Sequence, residues 1–215
     1  QHIHFDLGDG KTYVGALEVS FSSIDTHNKI FPGQTFTSKL SLKPDTYARA
    51  VRQGLRVLTG TRLAPGRYQL RVAASNRSTQ SGSVVYDLTV PDFGKDALTM
   101  SGVSLSSAAS AEGLTIATQN PLADALPGPI TSTRDFSPGD TLNLYTEVYE
   151  SARTDTPHTV DLATELRAED GRAIVRRTEE RSSKELLGKS GGYGFAATLP
   201  LTDVQAGTYF IHVEA

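Results

Sequence analysis

The chain predicts an all-β protein made of two tandem antiparallel β-sandwich domains. Three observations predict it: apolar residues alternate with polar ones along most of the 215 residues, helix signals are few and short, and a pair of motifs recurs in the same order in each half. Alternation places successive side chains on opposite faces of a sheet, so each such stretch reads as a strand with one face on a core and one in water.

In the first half, Gln1-His2-Ile3-His4-Phe5-Asp6 already alternates, and Asp6-Leu7-Gly8-Asp9-Gly10 reads as a hairpin turn leading into Lys11 and Thr12. Tyr13, Leu17, Val19 and Phe21 then share one parity, with Thr12, Glu18 and Ser20 opposite. Phe36, Leu40 and Leu42 repeat the pattern, as do Tyr68, Leu70 and Val72, and then Val84, Tyr86, Leu88 and Val90. Pro44–Gly54 is the one clear helix, with Asp45 as the expected N-cap and Gly54 as the stop. Pro91 ends the last of these strands because it has no N–H for a ladder. The boundary is therefore placed at Val90–Ala97, giving domains 1–94 and 95–215.

The second half continues with Leu142, Leu144 and Val148, then Val160, Leu162 and Leu166, then Phe195, Ala197, Leu199 and Leu201, and last Tyr209, Ile211 and Val213. Between Leu166 and Ile174, Asp170-Gly171 predicts a type I′ hairpin turn, since both residues tolerate positive φ. Ser182–Leu187 before Gly188 predicts one more short turn. No long helix can be drawn, which excludes a doubly wound nucleotide-binding fold.

The repeat sets the domain count. Ala64-Pro65-Gly66-Arg67-Tyr68-Gln69-Leu70-Arg71-Val72 matches Gln205-Ala206-Gly207-Thr208-Tyr209-Phe210-Ile211-His212-Val213, and Phe31-Pro32-Gly33 matches Ser137-Pro138-Gly139 upstream, each predicting a Pro-Gly turn before a strand. The Gly-x-Tyr element resembles the tyrosine corner of immunoglobulin-like sandwiches, which implies a buried ring and a hydroxyl bonded to nearby backbone. Downstream of it the copies differ. Arg67–Ala74 is succeeded by a further strand, Ser83–Val90, whereas Thr208–Ala215 has no counterpart after it. The expectation is an open edge along Thr208, Tyr209, Phe210, Ile211, His212, Val213 and Glu214, beside an apolar groove. Sequence alone leaves three ways to complete it: a downstream segment, another part of this chain, or a strand from a neighbour.

Composition narrows the function classes. There is no Cys, which excludes disulfide scaffolds, thiol catalysis and Cys-based zinc sites. No run is long and apolar enough to span a bilayer as a helix. The net charge of −3 divides unevenly, since residues 1–94 hold 11 Lys+Arg against 7 Asp+Glu, or +4, and residues 95–215 hold 10 against 17, or −7. The basic residues are scattered, so no nucleic-acid surface is expected. His2 and His4 share a strand face but have no third ligand, and Asp6/Asp9 lacks the rhythm and distal Glu of a calcium loop. Glu179-Glu180 and Glu147/Glu150 have no apolar surroundings to raise a carboxyl pKa. No nucleophile elbow or Ser-x-x-Lys dyad is present, so no catalytic residue, metal or cofactor is assigned and a small-molecule ligand is not expected. Tyr145 and Tyr149 share a face around Glu147 and form the candidate aromatic patch.

Several segments together resemble one family. Leu42-Lys43-Pro44-Asp45-Thr46-Tyr47, Pro65–Ala73, Val90-Pro91-Asp92-Phe93 and Glu147-Val148-Tyr149 look like the region that follows the von Willebrand A domain in bacterial VWFA-related proteins, those of Acidobacteria above all. The resemblance implies tandem immunoglobulin-like sandwiches in a secreted or cell-envelope protein. The A domain's Asp-x-Ser-x-Ser metal motif is not found in this chain, so metal-dependent adhesion does not carry over. The N-terminal segment lacks a signal peptide's charged and apolar regions, so a removed leader or a longer parent protein is expected. The functional expectation is a non-catalytic extracytoplasmic module that binds a protein partner or spaces another domain. A self-assembling structural subunit and a glycan-binding module are the alternatives.

Overall fold

The computed structural model describes residues 4–76, 80–151, 156–185 and 192–215. Its elements are β1 (Asp6–Gly8), β2 (Thr12–Asp25), β3 (Ile30–Leu42), α1 (Pro44–Gln53), β4 (Leu55–Leu58), β5 (Gly66–Asn76), β6 (Ser81–Val90), β7 (Leu98–Met100), β8 (Ser104–Ser107), α2 (Ala108–Ala111), β9 (Leu114–Ala117), β10 (Thr141–Glu150), β11 (Thr159–Ala168), β12 (Ala173–Ser182), a 3-10 turn (Ser183–Glu185), β13 (Gly192–Pro200) and β14 (Tyr209–Glu214). The protein is all-β, as its alternation predicts. It divides into two compact units, one of Gln1–Asp92 with Gly113–Asn120 and one of Phe93–Glu112 with Pro121–Ala215. The return of Gly113–Asn120 to the first unit departs from the single boundary at 94/95.

The first unit is built on a five-stranded antiparallel sheet. β3 runs along one edge of β2, while β1 and then β5 follow one another along the other, and β6 closes the sheet beyond β5. The odd-numbered side chains of β2, Leu17, Val19 and Phe21, are buried with Leu42, Ala50, Leu58 and Tyr68. The layer over them is α1 and a parallel β4–β9 ladder rather than a second full sheet. Tyr47 on α1 stacks on Tyr13 at 3.9 Å between ring centroids and meets Phe5 edge-on at 5.3 Å. β6 departs from the half-buried strand expected of it. Val84, Val85 and Tyr86 are 67%, 56% and 63% exposed; Val84 borders a cleft of about 650 Å³ that the covering layer leaves in front of β5 and β6, while Val85 faces the other side of the sheet.

Local chemistry explains the turns and corrects some of them. Asp9 and Gly10 both take positive φ and close β1 onto β2, and the Lys11 N–H donates to the Gly8 carbonyl at 3.2 Å. Lys43, not Asp45, occupies the N-cap of α1, with no side-chain capping bond; Pro44 opens the helix, where no N–H partner is needed, and Asp45 sits in the first turn. Gly54 stops the helix at φ 80°. Pro32-Gly33 is not a turn but lies within β3 at a bulge opposite Phe21, where a Cβ on Gly33 would come within 2.3 Å of the Phe21 carbonyl oxygen. Its sequence match, Pro138-Gly139, does form a turn before β10, with Gly139 at φ 82°. At Asp170-Gly171 only Gly171 has positive φ, at 83°, so the β11–β12 hairpin uses a longer loop with a bulge at Leu166/Arg167 instead of a type I′ turn. The 3-10 turn at Ser183–Glu185 answers to the start of Ser182–Leu187; residues 186–191 lie outside the described ones.

The second unit packs two sheets around one core. β13 lies on one edge of β10, and β7 and β8 share the other; Ser101 bridges the gap between them, its N–H donating to the Glu147 carbonyl and its hydroxyl oxygen accepting the Glu147 N–H. The facing sheet runs β12-β11-β14. Leu142, Leu144, Val148, Phe195 and Leu199 of one sheet meet Val160, Leu162 and Leu166 of the other.

Candidate functional site

β14 ends its sheet. It pairs antiparallel with β11 from Ala163↔Glu214 to Ala168↔Tyr209, and among the described residues no strand pairs its other edge. Its repeat counterpart β5 is flanked on both sides, by β2 and β6. The two strands share a local device. The Tyr68 hydroxyl donates to the Ala64 carbonyl and the Tyr209 hydroxyl to the Gln205 carbonyl, each at 2.9 Å. Tyr68 is buried, whereas Tyr209 is half-buried because it lines an open cleft.

That cleft has a volume of about 660 Å³ and runs beside β14, where Leu105, Phe136, Leu142, Leu166, Tyr209 and Ile211 give it an apolar lining. An unflanked strand edge offers a row of backbone donors and acceptors, and the cleft offers a place for every second side chain of an added strand. Tyr209, Ile211 and Val213 share the cleft-side parity and are half-buried; Phe210 is 58% exposed on the other face, and Thr208 just before the strand and Glu214 at its end are also exposed. His212, on the outer face, sits opposite Glu165 of β11. Glu165 is held by Arg167 at 2.5 Å and Arg176 at 3.3 Å, and the Arg167 hydrogen bond leads in keeping its carboxyl below the ordinary range.

The aromatic pair occupies the outer face of β10. The Tyr145 and Tyr149 hydroxyls both donate to the Glu147 carboxylate, the first at 3.3 Å. Burial, with Glu147 second, pushes both phenols up. Glycines on β13 make room for the rings, since a Cβ on Gly194 would stand 2.7 Å from the Tyr145 hydroxyl and one on Gly192 would stand 3.0 Å from the Tyr149 ring. Phe93 stacks on Tyr149 at 4.5 Å, taking a ring face that a sugar would need.

One cluster escaped the sequence reading. Glu150, at the end of β10, accepts from Tyr193 of β13 at 2.9 Å and also bonds the Nε2 of His158, just before β11. The His158 Nδ1 meets the Thr156 carbonyl at 3.0 Å, and that contact, then Glu150, raises the imidazole pKa. Burial, with Glu150 second, pushes the Tyr193 phenol up to about 12. No spacing signals this cluster, because only the β10–β13 register brings Tyr193 beside the end of β10.

His2 lies outside the described residues, His4 bonds Asp6 at 3.1 Å on an exposed surface, and Glu179 pairs with Arg181 at 2.6 Å. Among the described residues no three His, Asp or Glu side chains converge as a metal site, and no helix is long and apolar enough to cross a membrane. No protein-family model matches the chain, and no curated protein matches it.

Proposed function

We propose that the chain is a non-catalytic, extracytoplasmic protein-interaction module that accepts an extended segment along β14, and that its two units also space neighbouring parts of a surface or secreted protein. One observation carries the reading: among the described residues no strand pairs the outer edge of β14, and an apolar cleft of about 660 Å³ lies beside it. Strand addition draws affinity from main-chain hydrogen bonds and specificity from pockets for alternate side chains, and the edge and the cleft supply both. The resemblance to the region after the von Willebrand A domain supports the extracytoplasmic placement and the immunoglobulin-like kinship of the units. Self-assembly is the second reading, favoured by the exposed apolar strand β6 in the first unit.

The test is selection from a displayed library of ten-residue peptides, with binding mapped by amide NMR. Selected peptides are expected to alternate apolar residues and to shift the amides of Tyr209–Glu214 and of Leu166. Peptides that shift only residues elsewhere, or a library yielding no binder, would count against the reading.

A further inference from the structure

We infer that the occupant of β14 is β6 of a second copy, so that copies join head to tail, the first unit of one to the second unit of the next. The inference rests on reading β14 as a strand-accepting edge.

Edge protection singles out β6. Natural sheets guard their edges with charges, prolines, bulges or shortness. β3 carries Pro32, Lys39 and the bulge opposite Phe21, and β12 carries Arg176, Arg177, Glu179, Glu180 and Arg181. β13 ends in Pro200, carries two glycines, and shows no large exposed apolar side chain. β1, β7 and β8 are only three or four residues long. β6 has the fewest of these guards. It runs ten residues with Asp87 as its sole charge and no proline, and it holds three consecutive side chains more than half exposed.

The side-chain parity of the two strands matches. Within the first unit Tyr68 pairs with Leu88 and Leu70 with Tyr86, so the even-numbered residues of β6 already lie beside the repeat equivalents of Tyr209 and Ile211. Antiparallel pairing of the free edge of β6 with β14 in that parity sends Val84 and Tyr86 toward the cleft. It leaves Val85 and Asp87 on the face of Phe210 and His212; with Tyr86 opposite Ile211, Val85 is the diagonal neighbour of Phe210 and Asp87 that of His212, within reach of long side chains.

Charge selects the heterotypic pair. The first unit carries 11 Lys+Arg against 7 Asp+Glu, or +4, and the second 10 against 17, or −7. Unit-one to unit-two contacts are therefore attractive, while contacts between like units are repelled. Such an interface is heterologous, so it propagates into open filaments or closes into rings instead of stopping at a two-fold dimer.

Sedimentation velocity on the whole chain tests this with two variants, V84K/Y86K on β6 and F210K on β14; all three side chains are more than half exposed, so the fold should tolerate both. The wild-type chain is expected to sediment faster with rising concentration without reaching a plateau, and to fall back toward monomer in high salt. Each variant alone should be monomeric, and their equimolar mixture should give a one-to-one dimer, because the intact β6 of one meets the intact β14 of the other. Should F210K fail to fold, monomeric V84K/Y86K beside an associating wild type still assigns β6 to the contact. A wild-type chain that stays monomeric overturns the inference, while peptide capture at β14 judges the broader reading separately. A dimer lost in F210K but kept in V84K/Y86K also overturns it, since that pattern belongs to a symmetric β14–β14 contact.

Discussion

Tyr68 and Tyr209 each return a hydroxyl to the carbonyl four residues earlier, at the same 2.9 Å, yet one ring is buried and the other faces an open cleft. Water can replace the lost partner only where it can reach, so the two bonds differ in worth. Tyr68→Phe is expected to cost about 1 kcal/mol in urea unfolding, and Tyr68→Ala roughly 3–5 kcal/mol by analogy with buried aromatics. Tyr209→Phe should cost less than Tyr68→Phe. Equal losses at both positions would mean that the environment of the ring does not matter. This device is legible in the sequence because all its parts lie within nine residues. The bridge from Tyr145 and Tyr149 to Glu147 is half legible: parity puts the three on one face, but the accommodating Gly192 and Gly194 come from another strand.

Strands are legible when one face is buried and one is wet, and that is where the reading works, at β2, β5, β10 and β11. It fails at β6, because alternation reports that a face is apolar and not that anything covers it. It fails also at Pro32-Gly33, where the same dipeptide that turns the chain before β10 instead sits in a bulged strand. The contact of Glu150 with His158 ties the end of β10 to the start of β11, and Tyr193 adds β13. The raised imidazole pKa of His158, owed to the Thr156 carbonyl first and Glu150 second, fixes the sign of its pH dependence. Its stabilising contribution is complete below the ordinary histidine value of about 6.5 and is lost as pH rises through the higher folded value. Melting temperatures of the wild type and His158→Gln, compared from acid to mildly alkaline pH, should differ most at the acid end and converge on the alkaline side. A gap that widens with pH would reverse the assignment.

At the scale of the molecule, the division into a +4 unit and a −7 unit is readable from residue counts, and the two-part plan from the repeat. The path of the chain is not. Gly113–Asn120 leaves the second unit's sequence to join the first unit, where β9 runs parallel to β4 from Leu55↔Leu114 to Leu58↔Ala117. A parallel pair needs a long crossover, here Thr59–Gly113, and a four-residue strand with only Leu114 and Ile116 as apolar side chains larger than alanine carries nothing that names its partner. The pairing has a measurable consequence. Thr118 reinforces the ladder's end, its N–H donating to the Leu58 carbonyl at 2.9 Å, and Leu58 is buried in the first unit's core. Ile116→Pro removes a backbone donor from the middle of β9 and disturbs the ladder where proline is least tolerated. Hydrogen exchange on the intact chain should then quicken at Leu55–Leu58, while the amides of β10, β11 and β13 keep their wild-type protection. Quickened exchange in β10 and β11 with Leu55–Leu58 unchanged would assign β9 to the second unit and restore the simpler boundary at 94/95.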